Sequence, residues 1–162
     1  MIFAAIDPGS VNAGIAVFHD GTPVFVDDVR SVDGMIDPAL LAHALRDMKV
    51  QHMVVENVHS MPGQGLSSTF KFGMACGIIR GVAGSLCLPL TLVTPQQWKT
   101  FAGLKNRPDK AAARALAMRK WPGLADRLQR VKDTDRAEAL LIGDWYYVRC
   151  IVPRAMPPEV FA

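Results

Sequence analysis

The N-terminal stretch 2–18 constrains the fold most strongly. It contains two apolar runs separated by the turn sequence Pro8-Gly9, and one acidic residue, Asp7, ends the first run. Apolar runs of this length bounded by Pro and Gly predict buried strands. A carboxylate rarely occupies the buried end of a strand unless a cation or hydrogen bonds hold its charge. The stretch therefore predicts a core strand that carries Asp7 to a site where it meets positive charge.

The order of the remaining elements predicts an α/β domain. A third strand at 23–29 would complete an antiparallel meander, and short apolar runs predict further strands at 51–57 and 90–93. Helices are predicted at 38–50, 69–86, 94–98, 108–121 and 133–150. We expect a mixed five-stranded sheet, three antiparallel strands followed by parallel strands, flanked by helices.

Length and hydropathy bound the domain organisation. A chain of 162 residues is typical of one domain that buries roughly 70% of its unfolded surface. We expect a single domain over 1–150 and an irregular tail over 151–162, which contains three prolines. No apolar stretch approaches the roughly 20 residues of a membrane span, and no basic region precedes the first strand as in a signal peptide. These features favour a soluble, cytoplasmic protein.

The cysteines and histidines argue against zinc or thiol chemistry. Cys76, Cys87 and Cys150 are an odd number without metal-ligand spacing, so we expect buried free thiols in a reducing compartment. The sequence contains no HExxH, CxxC or Gly-x-Ser-x-Gly motif. The chemistry is therefore expected to come from other residues.

Charge is distributed unevenly along the chain. The first 81 residues hold five Lys/Arg and eight Asp/Glu, whereas the last 81 hold 13 and seven. Within 99–132 there are ten basic residues and two acidic ones. This segment suits a polyanion such as the nucleic-acid backbone, and equally suits a solvated helical surface.

Four carboxylates occupy positions where they could meet. Asp7 and Glu56 end apolar strand runs, while Asp135 and Glu138 are three apart and share one face of the last helix. An all-oxygen cluster of this kind suits hard cations such as Mg²⁺ or Mn²⁺. Two ions about 4 Å apart can activate water and stabilise the leaving oxygen in phosphodiester cleavage. The simpler interpretation makes Asp133 a helix N-cap and Asp135 a first-turn acid favoured by the helix dipole.

These segments resemble, in residue type, order and spacing, the RuvC family of Holliday-junction resolvases. The resemblance covers residues 2 to about 148. The segments that carry it are Ile6-Asp7-Pro8-Gly9-Ser10 with Gly14, Val54-Val55-Glu56, and Asp135-Arg136-Ala137-Glu138-Ala139-Leu140. A second set looks more like the RuvC-like proteins of phages and prophages: Pro62-Gly63-Gln64-Gly65 with Ser67, Ser68, Phe70 and Phe72-Gly73, and Thr94-Pro95 with Trp98-Lys99.

The resemblance implies an RNase H-like fold, a homodimer, and Mg²⁺-dependent symmetric nicking of two strands at a four-way DNA junction. By position, Asp7, Glu56 and Asp135 match the acidic residues of the family. Glu138 matches the fourth, which is usually Asp in the housekeeping enzyme, and Asp133 is an alternative to it.

The resemblance also suggests how DNA would be contacted. The loop 60–68 would approach the junction centre, and the Gly-rich helix that follows would supply the dimer interface. His59 falls where the housekeeping enzyme has an aromatic residue that stacks at the junction. The candidate DNA-binding residues are His59, Ser60, Gln64, Ser67, Ser68, Lys71, Lys99, Lys105, Arg107, Lys110 and Arg114.

Three alternatives stay open. Actin-like ATPases and sugar kinases share the Asp-Gly turn, but they need two such domains, and this chain provides one. A RuvC-like nuclease could instead act on RNA or on other branched DNA, such as flaps or forks. A non-catalytic junction-binding protein is the third alternative.

Overall fold

The computed structural model describes residues 1–10, 12–58, 63, 65–105 and 110–155. Its strands are β1 (Ile2–Asp7), β2 (Ala13–His19), β3 (Thr22–Val29), β4 (Ser31–Val32), β5 (Met35–Ile36), β6 (His52–Glu56) and β7 (Leu90–Val93). The main sheet has the order β3-β2-β1-β6-β7, in which β1, β2 and β3 are antiparallel and β6 and β7 run parallel to β1. The expected mixed five-stranded sheet is thus confirmed. The small hairpin of β4 and β5 is an addition that the sequence did not predict.

Helices cover both faces of this sheet. They are α1 (Pro38–Asp47), α2 (Leu66–Ser85), α3 (Pro95–Phe101), α4 (Lys110–Lys120), α5 (Thr134–Tyr146) and α6 (Val152–Ala155). Short 3₁₀-helices span Pro122–Arg127 and Val131–Asp133, and a π-helical stretch, Tyr147–Ile151, links α5 to α6. No helix in the described part of the chain is both long and apolar enough to cross a membrane.

Alternating side chains of the strands build two separate cores. On one face, Phe3 and Phe18 pack with residues of α3, α4 and α5. On the other face, Ile6 and Met53 pack with residues of α1 and α2. Because β1 is covered on both faces, its sequence is continuously apolar rather than alternating.

Helix boundaries differ from the sequence predictions where the end signals are unusual. Helix α1 ends at Asp47 rather than at residue 50, because Lys49 adopts a left-handed conformation (φ 54°) that residues other than Gly rarely take. Helix α2 begins at Leu66, three residues earlier than predicted, with Gly65 as an N-cap that offers no side chain. The N-caps of α1 and α3 are Asp37 and Thr94, and the side chain of each accepts a hydrogen bond from a backbone N–H of its helix.

The C-terminal tail and the cysteines also depart from expectation. The tail is not irregular throughout, since α6 continues the helical path through Pro153 to Ala155. Cys76, Cys87 and Cys150 are free, as expected. They are not buried, however: Cys87 is exposed and the other two are half-buried.

Candidate active site

Asp7 and Glu56 lie side by side at one edge of the sheet. Strands β1 and β6 are parallel neighbours with Ile6 opposite Val55. The next residue of each strand is its last, so Asp7 and Glu56 lie beside each other at the strand ends. Asp7 is 5% exposed and Glu56 is 6% exposed, and the two carboxyl groups share a hydrogen bond. Two buried carboxylates in direct contact repel each other unless a proton or a cation lies between them.

The start of α5 brings Asp135 and Glu138 to the same place. Helix α5 crosses β2 so closely that a Cβ atom added to Gly14 would lie 2.0 Å from the backbone oxygen of Asp135. A Cβ atom on Gly9 would lie 2.1 Å from the backbone oxygen of Asn12 and 3.4 Å from Oδ2 of Asp135. These glycines therefore let the backbones of the turn, the strand and the helix meet.

A cleft of about 420 Å³ opens where these elements meet. Its lining residues are Asp7, Pro8, Gly9, Ser10, Asn12, Glu56, Val58, Phe72, Asp135 and Glu138. A larger cavity of about 550 Å³ lies between β3 and α1. We place the candidate active site in the smaller cleft because all four carboxylates of the proposed set reach it.

The electrostatics of the cleft favour a bound cation. Burial raises the pKa of the Asp7 carboxyl well above its usual value. The other carboxylates raise this pKa further, in the order Glu56, Glu138 and Asp135. A divalent cation would relieve this repulsion, and the all-oxygen donor set fits Mg²⁺ or Mn²⁺. Within the described residues, no group of three or more His, Cys, Asp and Glu side chains has the arrangement of a complete ligand set.

Asp133 has a different environment from the four cleft carboxylates. Its side chain is buried and accepts hydrogen bonds from Arg130, from Nη2 at 2.8 Å and from the backbone N–H at 2.8 Å. Burial alone would raise the pKa of Asp133, but the hydrogen bonds from Arg130 outweigh burial and lower it. Asp133 does occupy the N-cap position of α5, as the N-cap interpretation predicts, but its side chain makes no capping hydrogen bond to the helix. Asp133 also does not line the cleft.

Arg136 anchors the first turn of α5 to strand β3. Its side chain is 7% exposed and donates to Asp28 from Nε at 2.9 Å and from Nη2 at 2.6 Å. The same Nη2 lies 2.8 Å from Oδ1 of Asp27. Because Arg136 adjoins Asp135 in sequence, this anchor fixes the helix start that carries the cleft carboxylates.

Helix α3 contributes two side chains beside the carboxylates. The indole Nε1 of Trp98 donates to Oε1 of Glu56 at 2.6 Å, and Trp98 is fully buried. The ammonium group of Lys99 lies 3.9 Å from Oε1 of Glu138 and 5.0 Å from the centre of the Trp98 ring. Lys99, expected as a DNA contact, therefore lies within reach of the cleft.

The structure locates some of the candidate DNA-binding residues. Ser67, Ser68 and Lys71 are exposed on the first turns of α2, and Lys105 is exposed after α3. Arg114 is half-buried and donates to the backbone oxygen of Gln129 at 3.1 Å, which is an internal contact. The candidates His59, Ser60, Gln64, Arg107 and the side chain of Lys110 lie outside the described residues.

Part of the basic segment 99–132 is neutralised within the fold. Lys120 pairs with Asp144, Arg127 with Asp27 at 3.7 Å, and Arg130 with Asp133. Some of the excess positive charge is therefore paired within the domain itself. The exposed side chains of Lys105, Arg119 and Lys132 carry the part that faces solvent.

Sequence reasoning assigned no role to several residues that shape the cleft. The cleft is also lined by Ser10, Asn12, Val58 and Phe72. Trp98, which is buried in the core, donates a hydrogen bond to Glu56. The sequence does contain a signal that places Trp98 near the site. Trp98 lies in the first turn of α3, which follows directly after β7, and β7 pairs with β6, the strand that carries Glu56. The contact itself joins residues 42 positions apart, which no local pattern predicts.

Sequence comparison finds one informative curated relative. No protein-family model matches the chain. The chain is 30% identical over 96 residues to the chloroplastic Holliday junction resolvase of Chlamydomonas reinhardtii, a region that covers 59% of this chain. The match spans only 11% of the length of that relative.

Comparison with solved structures identifies the fold. T. thermophilus RuvC in complex with a Holliday junction substrate has a TM-score of 0.64 and 19% identity, covering 92% of this chain and 96% of that one. The Fowlpox virus resolvase in complex with Holliday junction DNA has a TM-score of 0.63 and 19% identity, covering 93% and 99%. The yeast mitochondrial Holliday junction resolvase has a TM-score of 0.54 and 13% identity, covering 90% and 78%. The chain therefore has the RuvC-like variant of the RNase H-like fold.

Proposed function

We propose that this protein is a structure-selective DNA endonuclease that resolves four-way junctions by metal-dependent phosphodiester hydrolysis. The observation that carries the proposal is the meeting of Asp7, Glu56, Asp135 and Glu138 on one cleft. The RuvC-like fold supports it, because two structures of similar fold were solved with Holliday junction DNA.

The residues of the cleft have different roles in the proposed reaction. Asp7 and Glu56, on rigid neighbouring strands, would form the fixed side of a metal site, and Asp135 and Glu138 the side supplied by α5. Two bound Mg²⁺ or Mn²⁺ ions would supply activation of water and stabilisation of the leaving oxygen. Lys99, beside Glu138, brings a positive charge to the rim of the cleft, where the scissile phosphate would lie. The Pro8-Gly9 turn leaves the cleft open to a phosphate backbone.

Resolution of a junction requires two coordinated nicks, so we propose a homodimer. Gly73, Gly77, Gly81 and Gly84 lie on the exposed side of α2, and a Cβ atom at each would meet nothing within 4 Å. No other described residue packs closely against these glycines, so a second copy could do so. Phe70, 68% exposed near the start of the same helix, adds apolar surface.

The first prediction tests catalysis. Asp7→Asn removes one negative charge from the cleft while keeping the shape of the side chain. We expect cleavage of a synthetic four-way junction in Mg²⁺ to fall by at least 100-fold, while binding of the junction persists. Cleavage is measured by the appearance of nicked duplexes on a gel, and binding by mobility shift.

Asp33→Asn is the matched control for this variant. Asp33 lies in the turn between β4 and β5 with φ 51°, a conformation that Asn adopts readily. The control should cleave like the wild-type protein. Wild-type binding without cleavage in Mg²⁺ or Mn²⁺ would reduce the protein to a junction binder, and equal cleavage of linear single-stranded RNA would favour an RNA nuclease.

A further inference from the structure

We infer that Trp98 is a positioning residue for Glu56, and that it sets the affinity of the cleft for divalent cations. The inference rests on the proposed function, in which Glu56 binds metal. Its basis is the 2.6 Å hydrogen bond from the indole Nε1 to Oε1 of a carboxylate that is only 6% exposed. Hydrogen bonds to charged acceptors are short and about twice as strong as neutral ones.

The position of the Trp98 indole is fixed by the backbone around it. Helix α3 begins with a capping box in which Thr94 and Gln97 bond to each other's backbone N–H groups. Strand β7 leads directly into this helix, and its last residue, Val93, lies opposite Glu56 in the parallel register with β6. The backbone N–H of Asn57 also donates to the oxygen of Val93 at 2.7 Å. Hydrogen bonds therefore connect the backbone that carries Trp98 to the backbone that carries Glu56, which limits how far the two side chains can move apart.

Packing prevents the indole from moving away. Trp98 is 0% exposed and belongs to the core cluster that includes Val54, Val93, Leu104 and Leu140. A side chain packed on all sides has one accessible rotamer. This packing holds the indole N–H directed at Glu56.

The consequence of this contact lies in the rotation of the Glu56 carboxylate. The terminal torsion of Glu is broad and allows the carboxylate to turn freely. The indole donates to Oε1, and this hydrogen bond restricts the rotation of the carboxylate beside its neighbour Asp7. Partners that orient metal ligands in this way typically change metal affinity by about 10–100-fold when removed.

The decisive variant is Trp98→Phe, which keeps an aromatic ring in the core and removes the donor. We expect Mn²⁺ affinity, measured by calorimetry without DNA, to fall by about 10-fold or more. The Mg²⁺ concentration for half-maximal junction cleavage should rise by a similar factor, and the rate at saturating Mg²⁺ should largely recover. An unchanged Mn²⁺ affinity would overturn the inference.

Trp121→Phe provides the matched control. Trp121 packs edge-on against Phe18, at a ring-centre distance of 6.4 Å, and does not line the cleft. Trp121 is half-buried against the same core, so its substitution removes the same atoms from a less buried position. We expect any loss of thermal stability to leave Mn²⁺ affinity at the wild-type value. If both variants weakened Mn²⁺ binding equally, the effect would be one of packing, and the positioning role would be rejected.

A measurement on the wild-type protein tests the positioning role of Trp98 even if Trp98→Phe fails to fold. The chain has three tryptophans, Trp98, Trp121 and Trp145, so ¹⁵N labelling gives three indole N–H resonances, assigned by removing Trp121 and Trp145 in turn. Addition of Mg²⁺ should shift the Trp98 resonance and leave the other two in place. An unmoved Trp98 resonance in protein shown to bind Mg²⁺ would overturn the inference.

The two proposals fail in different ways. Mn²⁺ binding by the wild-type protein without cleavage of any junction would reject the proposed nuclease and leave the role of Trp98 to be judged by calorimetry and resonance shifts. Junction cleavage with a Trp98→Phe variant of normal Mn²⁺ affinity would reject only the positioning role. Absence of any Mn²⁺ binding by the wild-type protein would reject both.

Discussion

At the scale of single residues, the site depends on glycines, which allow close backbone approach, as much as on its carboxylates. Asp7 and Glu56 could be predicted because each ends an apolar strand, where a charge needs a partner. The contact between Trp98 and Glu56 could not, because it depends on how α3 packs over β6. The requirement for glycine at Gly14 also becomes clear only when α5 is seen to lie against β2.

The second substitution test concerns Gly14. Because an added Cβ atom would lie 2.0 Å from the backbone oxygen of Asp135, Gly14→Ala must displace either β2 or α5. We expect a loss of stability of about 1–3 kcal/mol, measured by urea unfolding, together with a larger loss of cleavage, since the displaced helix carries Asp135.

Gly123→Ala is the control for this substitution, because a Cβ atom there would meet nothing within 4 Å. It should change stability by less than about 0.5 kcal/mol and leave cleavage intact. A Gly14→Ala protein of wild-type stability and activity would show that the helix approaches less closely than described.

At the scale of elements, the sequence predicts the bounds of strands and helices better than it predicts what packs against their exposed faces. Strand β7 was predicted at its observed bounds because Pro89 and Thr94-Pro95 mark both ends. The start of α2 was missed because Ser67 and Ser68 are typical of loops, and its cap, Gly65, offers no side-chain signal. A Cβ atom at Gly73, Gly77, Gly81 or Gly84 of α2 would meet no other described residue within 4 Å, so contacts within the described chain do not explain these glycines.

The third substitution test concerns the exposed glycines of α2. We expect Gly77→Leu to convert a dimeric protein into a monomer, because the new side chain would separate two closely packed helices. Leu favours a helix over Gly by about 1 kcal/mol, so the fold of the monomer should not be weakened. Mass in solution is measured by light scattering at micromolar concentration.

Ala115→Leu on α4, another exposed helical position, is the control and should leave the mass unchanged. A wild-type protein that is monomeric at these concentrations would contradict the dimer proposal. In that case the paired nicks would have no structural basis in a symmetric assembly.

At the scale of the whole molecule, the two halves of the chain differ in position as well as in charge. Helices α1 and α2, from the acidic half, cover one face of the sheet, and α4 and α5, from the basic half, cover the other. The charge imbalance along the sequence could be counted directly. Its arrangement across the sheet could not, because it depends on which face each helix covers.

The last test reverses basic charges on the basic half. Lys105→Glu with Lys110→Glu should weaken junction binding and lower the slope of log affinity against log salt by about 1 for each lost phosphate contact. The control is Arg46→Glu with Lys49→Glu, two exposed positions at the end of α1. Equal effects of the two double variants would assign the binding to overall charge rather than to this surface.

The excess of basic residues does not become a charge difference between the two faces, because α1 with α2 and α4 with α5 each carry two more basic than acidic residues. The excess is instead concentrated on α4, which has four basic residues and no acidic one. Attraction of a polyanion to this helix would weaken as added salt shortens the screening length.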